Sequence, residues 1–345
     1  MAFKLTGNTV IGGFSTSPTG IYYTGSNVGL NLKNDNGEIH VQDSSPMVGT
    51  VSGYSSGGFP REGAIRKFPF ATDTNSSFVG GLTVSRDGVS GESSSTHGYV
   101  TGGGTGPAIG LNTIDKFPFA TNGNAVDVGN LTRTFFIGSA GHSSITHGYV
   151  SSGVWNPGGG YAAQNTIDRF PFSTDTNASD VGDLAQLRYY VAGQSSSSHG
   201  YMSGGQTVPP ATLYNTIEKF AFSASANATD VGDLTQVRSG ATGQSSTTHG
   251  YSSGGATPPA FTRVNTVDKF PFSSDTNATD VGDLTLAGQL SAGSSSTVSG
   301  YTAGGNLGPP GATNTIDKFP FAVDANATDV GDLTGVIYTN SGHQD

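Results

Sequence analysis

Residues 215–255 read N-T-I-E-K-F-A-F (215–222), then N-A-T-D-V-G-D-L-T (227–235), then H-G-Y-S-S-G-G (249–255). This passage of about fifty residues recurs six times, anchored at Tyr54, Tyr99, Tyr149, Tyr201, Tyr251 and Tyr301. Each copy carries a Phe (Phe68, Phe117, Phe170, Phe220, Phe270, Phe319) and, 14 residues on, a Leu (Leu82, Leu131, Leu184, Leu234, Leu284, Leu333). The distance from Tyr to Phe varies instead: 14, 18, 21, 19, 19 and 18 residues. Constant spacing marks scaffold, and variable spacing marks a loop.

The composition agrees with a β-rich array. The 345 residues include 53 Gly and only 12% charged residues, and Val, Ile, Thr, Phe and Tyr outnumber the helix formers. Within one copy, S-G-A-T-G-Q-S-S reads as a first strand (a) and H-G-Y-S-S-G-G as a second (b). N-T-V-D-K-F-P-F reads as a third (c) and D-V-G-D-L-T as a fourth (d). Four short strands repeated at this period predict the blade of a β-propeller. Packing of blades face to face buries both sides of a central strand, which accounts for apolar Ile114 and Phe117 on opposite faces. Pro118, Pro171, Pro271 and Pro320 remove a ladder donor, so strand c is expected to stop or bulge there.

The ends of the array predict ring closure. The first copy has no strand a before Tyr54, and Gly342, after the sixth Leu, falls where Gly243 falls in its own copy. A C-terminal strand would complete the first blade and cover edges that an open array leaves unpaired. The expected fold is therefore all-β: a six-bladed propeller of four-stranded blades over 46–345, closed by the C-terminal strand. Residues 1–45 do not repeat. They predict a short β-rich arm with a hairpin around Asn36-Gly37, too small for its own core and in need of a partner surface.

Y-x-x-G-G, followed by an aromatic-bearing strand and a short strand ending in Leu, resembles the kelch repeat. The Gly pairs are Gly57-Gly58, Gly102-Gly103, Gly204-Gly205, Gly254-Gly255 and Gly304-Gly305, with Ser152-Gly153 in the third copy. The Trp of the kelch strand d is replaced by Val, as at Val181 and Val231. The opening M-A-F-K-L-T-G-N-T-V-I resembles the N-termini of virion structural and tail-fibre-like proteins of marine, cyanophage-like bacteriophages. The T-I-D-K-F-P-F and D-V-G-D-L-T repeats are similar to those of kelch-like proteins in the same phages. The resemblance implies a virion component of the tail or capsid surface, present in multiple copies and docked to other virion proteins through its N-terminal arm.

Several functions are disfavoured from the residues alone. A net charge of −10 and the lack of a basic run argue against nucleic acid as a partner. No cysteine is present, so disulfides, thiolate metal sites and a Cys nucleophile drop out. No apolar run reaches the length of a membrane helix, so no membrane insertion is expected, and the opening residues show no secretory signal.

The candidate functional residues sit in the variable b–c loops: Phe59, Arg61, Trp155, Tyr161, Tyr214, Phe261 and Arg263. In a four-stranded antiparallel blade the b–c and d–a loops leave on one face, so these loops rim one mouth of the ring. Exposed aromatics on a rigid scaffold suit binding of a host-surface glycan or protein, or of another subunit. The bland alternative is loops that vary because nothing constrains them.

The remaining motifs read as scaffold. His97, His147, His199 and His249 recur around the ring and predict turn hydrogen bonds in place of a metal centre. D-T-N-A-T-D-V-G-D departs from a calcium loop in its sixth and last positions and predicts a c–d turn. The acids of strand c (Asp115, Asp168, Glu218, Asp268, Asp317) and the arginines Arg86, Arg188 and Arg238 recur from blade to blade, whereas an active site breaks symmetry. The expectation is a non-enzymatic virion protein with no catalytic residues, metal or cofactor, tail-fibre-like and binding through its b–c loops. A structural decoration protein is the alternative, and a glycan-cleaving propeller the third reading.

Overall fold

The computed structural model describes residues 48–106, 109–135, 137–155, 161–309 and 311–345, with the strands at 14–17, 20–23, 30–35 and 38–43. The chain divides into two compact units, Met1–Ser45 and Pro46–Asp345. In the first, Phe14–Ser17 pairs with Gly20–Tyr23, and Leu30–Asp35 pairs with Glu38–Asp43 with Asp35 opposite Glu38. The Asn36-Gly37 turn expected between the latter strands, and the alternating run at 1–11, lie outside the described residues.

The second unit is a six-bladed propeller, all-β among the described residues. Blade 4 shows the plan: Ala192–Ser195 (a), His199–Ser203 (b), Thr216–Ala221 (c) and Thr229–Asp233 (d), paired in that order. Blade 1 takes its strand a from the C-terminus. Ser341–Gln344 pairs antiparallel with Ser52–Ser56, with Ser341 opposite Ser56 and Gln344 opposite Gly53. The closure read from Gly342 is therefore present. Strand c ends on proline where the repeat has one, as in Thr166–Pro171 and Ala312–Pro320, and a register shift marks a bulge in its ladder with strand d.

The aromatic anchors hold one blade to the next. Tyr201 stacks on Phe272 of the following blade with ring centroids 4.8 Å apart, and Tyr301 does the same with Phe70 at 4.7 Å across the closure. The first Phe of each pair explains the His-Gly-Tyr motif. The far end of its ring covers the glycine, so that a Cβ on Gly98 would sit 2.3 Å from Phe117 Cζ. Ile114 and Phe117 are both buried, as expected for a strand covered on both faces.

The Asn of the c–d turn also crosses between blades. Asp233 N donates to Asn277 Oδ1 at 3.1 Å and Asp332 N donates to Asn75 Oδ1 at 3.0 Å, with the same bond at the other joints. The D-T-N-A-T turn is thus a clamp as well as a turn.

The inner strands meet around the axis backbone to backbone. A Cβ on Gly243 would lie 1.9 Å from Gly193 O, and one on Gly342 would lie 1.9 Å from Gly293 O. Two residues further on, the N–H of Ser195 donates to Ser245 Oγ and that of Ser245 donates to Ser295 Oγ, both at 2.9 Å. Ser295 donates to Gln344 Oε1 and Gln344 to Ser93 Oγ, which carries the ring across the closure. Only glycine permits this approach, and the result is a narrow axis lined by Gly and Ser.

Candidate binding face

The b–c and d–a loops share one face and interlock. Each d–a corner bridges to the b–c segment of the next blade: Tyr338 to Phe59, Asp87 to Gly104, Ile137 to Val154, Tyr189 to Gln206, Ser239 to Ala256 and Gln289 to Asn306. The variable loops are therefore held at their bases by backbone hydrogen bonds.

The residue after each of these corners adopts a left-handed backbone: Gly88, Gly138, Tyr190 (φ 56), Gly240, Leu290 (φ 61) and Thr339 (φ 55). Three of them are not glycine, and a side chain costs energy in this conformation. A chain of backbone bonds holds them: Gly88 N donates to Thr339 O, Thr339 N to Leu290 O, Leu290 N to Gly240 O, Gly240 N to Tyr190 O and Tyr190 N to Gly138 O, at 2.7–3.0 Å. This collar frames a cavity of about 80 Å3 lined in part by Val89, Ile137, Tyr190, Val191, Leu290 and Thr339.

The scaffold of the collar is nearly sixfold, but its side chains are not. At the corners that lead into blades 1, 2 and 4 they are aromatic and charged. Phe59 packs on Tyr338 with ring centroids 5.2 Å apart, and the Arg61 guanidinium lies 5.9 Å over the Phe59 ring. Arg61 Nε pairs with Asp87 Oδ1 at 3.2 Å. Tyr189 and Tyr190 have centroids 4.6 Å apart, and Gln206 Nε2 donates to Tyr189 Oη at 2.7 Å. Burial pushes the Tyr190 phenol well above its ordinary range, and the nearby Tyr189, Asp87, Tyr338 and Tyr161 push it further. Burial also raises the Asp87 carboxyl, with Arg61 acting against it.

The residues singled out from the sequence divide accordingly. Phe59 and Arg61 belong to this cluster, and the exposed Tyr161 is within electrostatic reach of Tyr190. Trp155, half-buried, lies under the Arg133 guanidinium at 5.9 Å on the short hairpin Val154–Trp155 with Ala162–Ala163. The N-P-G-G-G tip between these strands lies outside the described residues. Phe261 and Arg263 form a separate pair beside blade 6, where Arg263 Nη1 donates to Phe261 O at 3.0 Å and Nη2 to Asn306 Oδ1 at 3.3 Å. Tyr214 stands at the joint of blades 3 and 4, within electrostatic reach of Arg188.

Tyr189, Tyr190, Tyr338 and Asp87 did not stand out in the sequence. Their signal was a break in the repeat: Tyr-Tyr stands where the next copy has Ser239-Gly240.

The repeated motifs go elsewhere. The His97 and His147 rings each meet the hydroxyl of the preceding Thr at 2.8 Å, and burial lowers both imidazoles. Among the described residues no group of His, Cys, Asp or Glu has the arrangement of a metal site. Arg86, Arg188 and Arg238 are fully buried and pair with Asp115, Glu218 and Asp268 of the following blade at 3.2, 2.9 and 2.9 Å.

No family model matches the chain, and no curated protein does. Among solved structures it is similar to the structure of YjhT. The TM-score is 0.64 and the identity 13%, over 83% of this chain and 98% of that one. At this identity the likeness concerns the fold alone. Fold, closure and shared loop face thus stand on the structure.

Proposed function

We propose that the chain is a non-enzymatic binding propeller, a virion component of the kind its repeats resemble, whose b–c and d–a face takes a glycan of the host surface. The observation that carries this reading is the asymmetric set of side chains at the mouth: Phe59 on Tyr338 beside the Arg61–Asp87 pair, and Tyr189 on Tyr190, with Tyr190 within electrostatic reach of Asp87 and Tyr338. Aromatic faces stack on the C–H faces of sugars, while phenols, guanidinium and carboxylate meet hydroxyls. The collar below fixes the corners, so little order has to be gained on binding.

Two features favour binding over glycan cleavage. A phenol nucleophile is activated by lowering its pKa, and that of Tyr190 is raised. The two carboxylates of the neighbourhood are engaged by arginines, Asp87 by Arg61 and Glu62 by Arg66. In this reading the N-terminal arm joins the propeller to other virion proteins.

The test is adsorption of the purified chain to host cells and to extracted lipopolysaccharide. The doubly substituted Phe59→Ala/Tyr338→Ala protein is expected to bind at least about tenfold more weakly, the loss typical of central aromatic contacts. Unchanged adsorption would overturn the reading, and release of sugar from the polysaccharide would replace it with the glycan-cleaving alternative.

A further inference from the structure

The buried ion pairs at three joints between blades supply an internal standard for the joint where glycine replaces the arginine. At the joint of blades 4 and 5, Thr235 holds the Asp268 carboxylate, its N–H donating to Oδ2 at 2.9 Å and its hydroxyl to Oδ1 at 2.7 Å. Arg238 completes the arrangement. Its Nη2 lies 2.9 Å from Asp268 Oδ2 and donates to Ser252 O at 2.8 Å, and its Nη1 donates to Thr266 O at 3.1 Å. Arg188 pairs with Glu218 and donates to Thr216 O, the counterpart of Thr266, and to Gly204 O.

One joint further round, Thr285 holds Asp317 identically, with its N–H on Oδ2 at 2.9 Å and its hydroxyl on Oδ1 at 2.6 Å. The position of the arginine is Gly288. Its backbone is that of an arginine position, since Gly255 N donates to Gly288 O at 2.7 Å as Gly205 N donates to Arg238 O at 2.9 Å. A cavity of about 20 Å3 remains, lined by Gly288, Thr302, Gly304, Thr315 and Asp317. These include the counterparts of Ser252, Gly204 and Thr266, whose carbonyls receive arginine N–H groups at the other joints. Asp317 is only 5% exposed, and among the described residues no basic side chain pairs with it. The joints of blades 2 and 3 and of blades 6 and 1 lack the arginine too, but buried Phe135 and Ile337 stand in its position, and at the second of these Arg66 replaces the acid.

We infer that the joint of blades 5 and 6 is a binding site for an alkylguanidinium group, held by the Asp317 carboxylate and the carbonyls that surround it. The carboxylate supplies the charge, and the carbonyl acceptors match the fork of donors that distinguishes a guanidinium from an ammonium. Leu286 and Leu307 also line the cavity, which as it stands has room for about one water, so a guanidinium with its alkyl stem requires the Leu307 side chain beside Gly288 to swing aside.

The test uses the full chain in isothermal titration with methylguanidinium and with acetyl-Gly-Arg-Gly-amide, and methylammonium as the control. Saturable binding of either guanidine is expected, at least about tenfold weaker in Asp317→Asn and in Gly288→Arg. The second variant fills the slot from within. Gly288 lies outside the left-handed region, and an added Cβ would meet the flexible end of Leu307, Cδ2 at 3.0 Å, so the arginine is accommodated once that side chain shifts, and the variant is expected to melt higher than the wild type. Binding of the peptide would assign the source to an arginine side chain of a partner, and binding of methylguanidinium alone would assign it to a free guanidine. Absence of saturable binding, equal binding to Gly288→Arg, or equal binding of methylammonium would overturn the proposal.

Discussion

The two faces of the ring are built by different rules. On the face of the a–b and c–d turns, the same contacts repeat: the Asn clamp, the serine hydroxyls on the neighbouring backbone, and Lys–Asp pairs such as Lys116–Asp175 and Lys219–Asp275 at 2.8 and 2.6 Å. On the b–c and d–a face the backbone collar repeats, but its side chains do not. A contact made in every blade holds blades together and carries no information about a ligand. A departure from the repeat on a rigid frame is where recognition can reside. The Gly288 joint is a second departure of this kind, and it leaves a cavity.

The largest effect should come from breaking the repeated frame at its seam. Deleting residues 335–345 removes Ser341–Gln344 and the bonds of Asp345 to Ser52 N and Tyr54 Oη. Loss of the single cooperative melt is expected in calorimetry. A truncated chain melting at the wild-type temperature would contradict closure by this strand.

Next comes a buried ion pair. Arg238→Met leaves the Asp268 carboxylate buried without its partner and should cost about 3–5 kcal/mol in chemical denaturation. Replacing both members, Arg238→Met with Asp268→Leu, should recover part of that loss, because the buried charge goes but the Thr235 N–H and hydroxyl lose their acceptor. If the double variant is as unstable as the single one, the pair does more than neutralise a charge.

The third prediction concerns the inner strands, whose third position varies: His343, Glu92, His142, Gln194, Gln244 and Ser294. Burial lowers the imidazoles of His142 and His343 to about 4. In the unfolded chain they take up a proton near pH 6.5, so the unfolded state binds more protons between these values. Stability is therefore present above about pH 6.5 and lost as pH falls towards 4, by roughly 3 kcal/mol for each histidine. His142→Gln, the residue of the next two blades, should halve this acid sensitivity in melts between pH 7 and 4. Glu92 has the opposite sign. Burial raises its carboxyl well above the usual range, so the folded state keeps a proton that the unfolded state releases, and stability falls as pH rises past about 4.5. Glu92→Gln should raise the melting temperature at pH 7.

The smallest effect belongs to the clamp. Asn227→Ala removes the acceptor of the Asp183 N–H at 3.0 Å and should cost about 1 kcal/mol, since the exposed donor can turn to water. A loss of several kcal/mol would show that the clamp holds more than one bond.

Much of the frame was legible in the sequence because each of its contacts recurs. The 14-residue interval from Phe to Leu, the Tyr anchors and the displaced Gly342 were enough for blades, number and closure. The shared face of the b–c and d–a loops followed from antiparallel order alone. What the acids and arginines do was not legible. Arg238 and Asp268 are 30 residues apart and belong to different blades, so their pairing appears only when blades are stacked. The aromatic mouth was half legible. Phe59, Arg61 and Tyr161 lie in loops of unequal length, whereas Tyr190 and Tyr338 sit at corners of constant length, where only a residue-by-residue departure from the repeat gives them away.

The central claim is that recognition belongs to the irregular face. It is tested most directly by host-lipopolysaccharide binding to two variants of the full chain, Tyr190→Gly on the irregular face and Lys219→Ala on the regular one. Tyr190→Gly puts a glycine at a left-handed corner, as in blades 2, 3 and 5, so the frame is kept or relieved of strain. The account predicts that Tyr190→Gly binds at least about tenfold more weakly while Lys219→Ala binds like the wild type. Wild-type binding by Tyr190→Gly, with loss in Lys219→Ala, would contradict it.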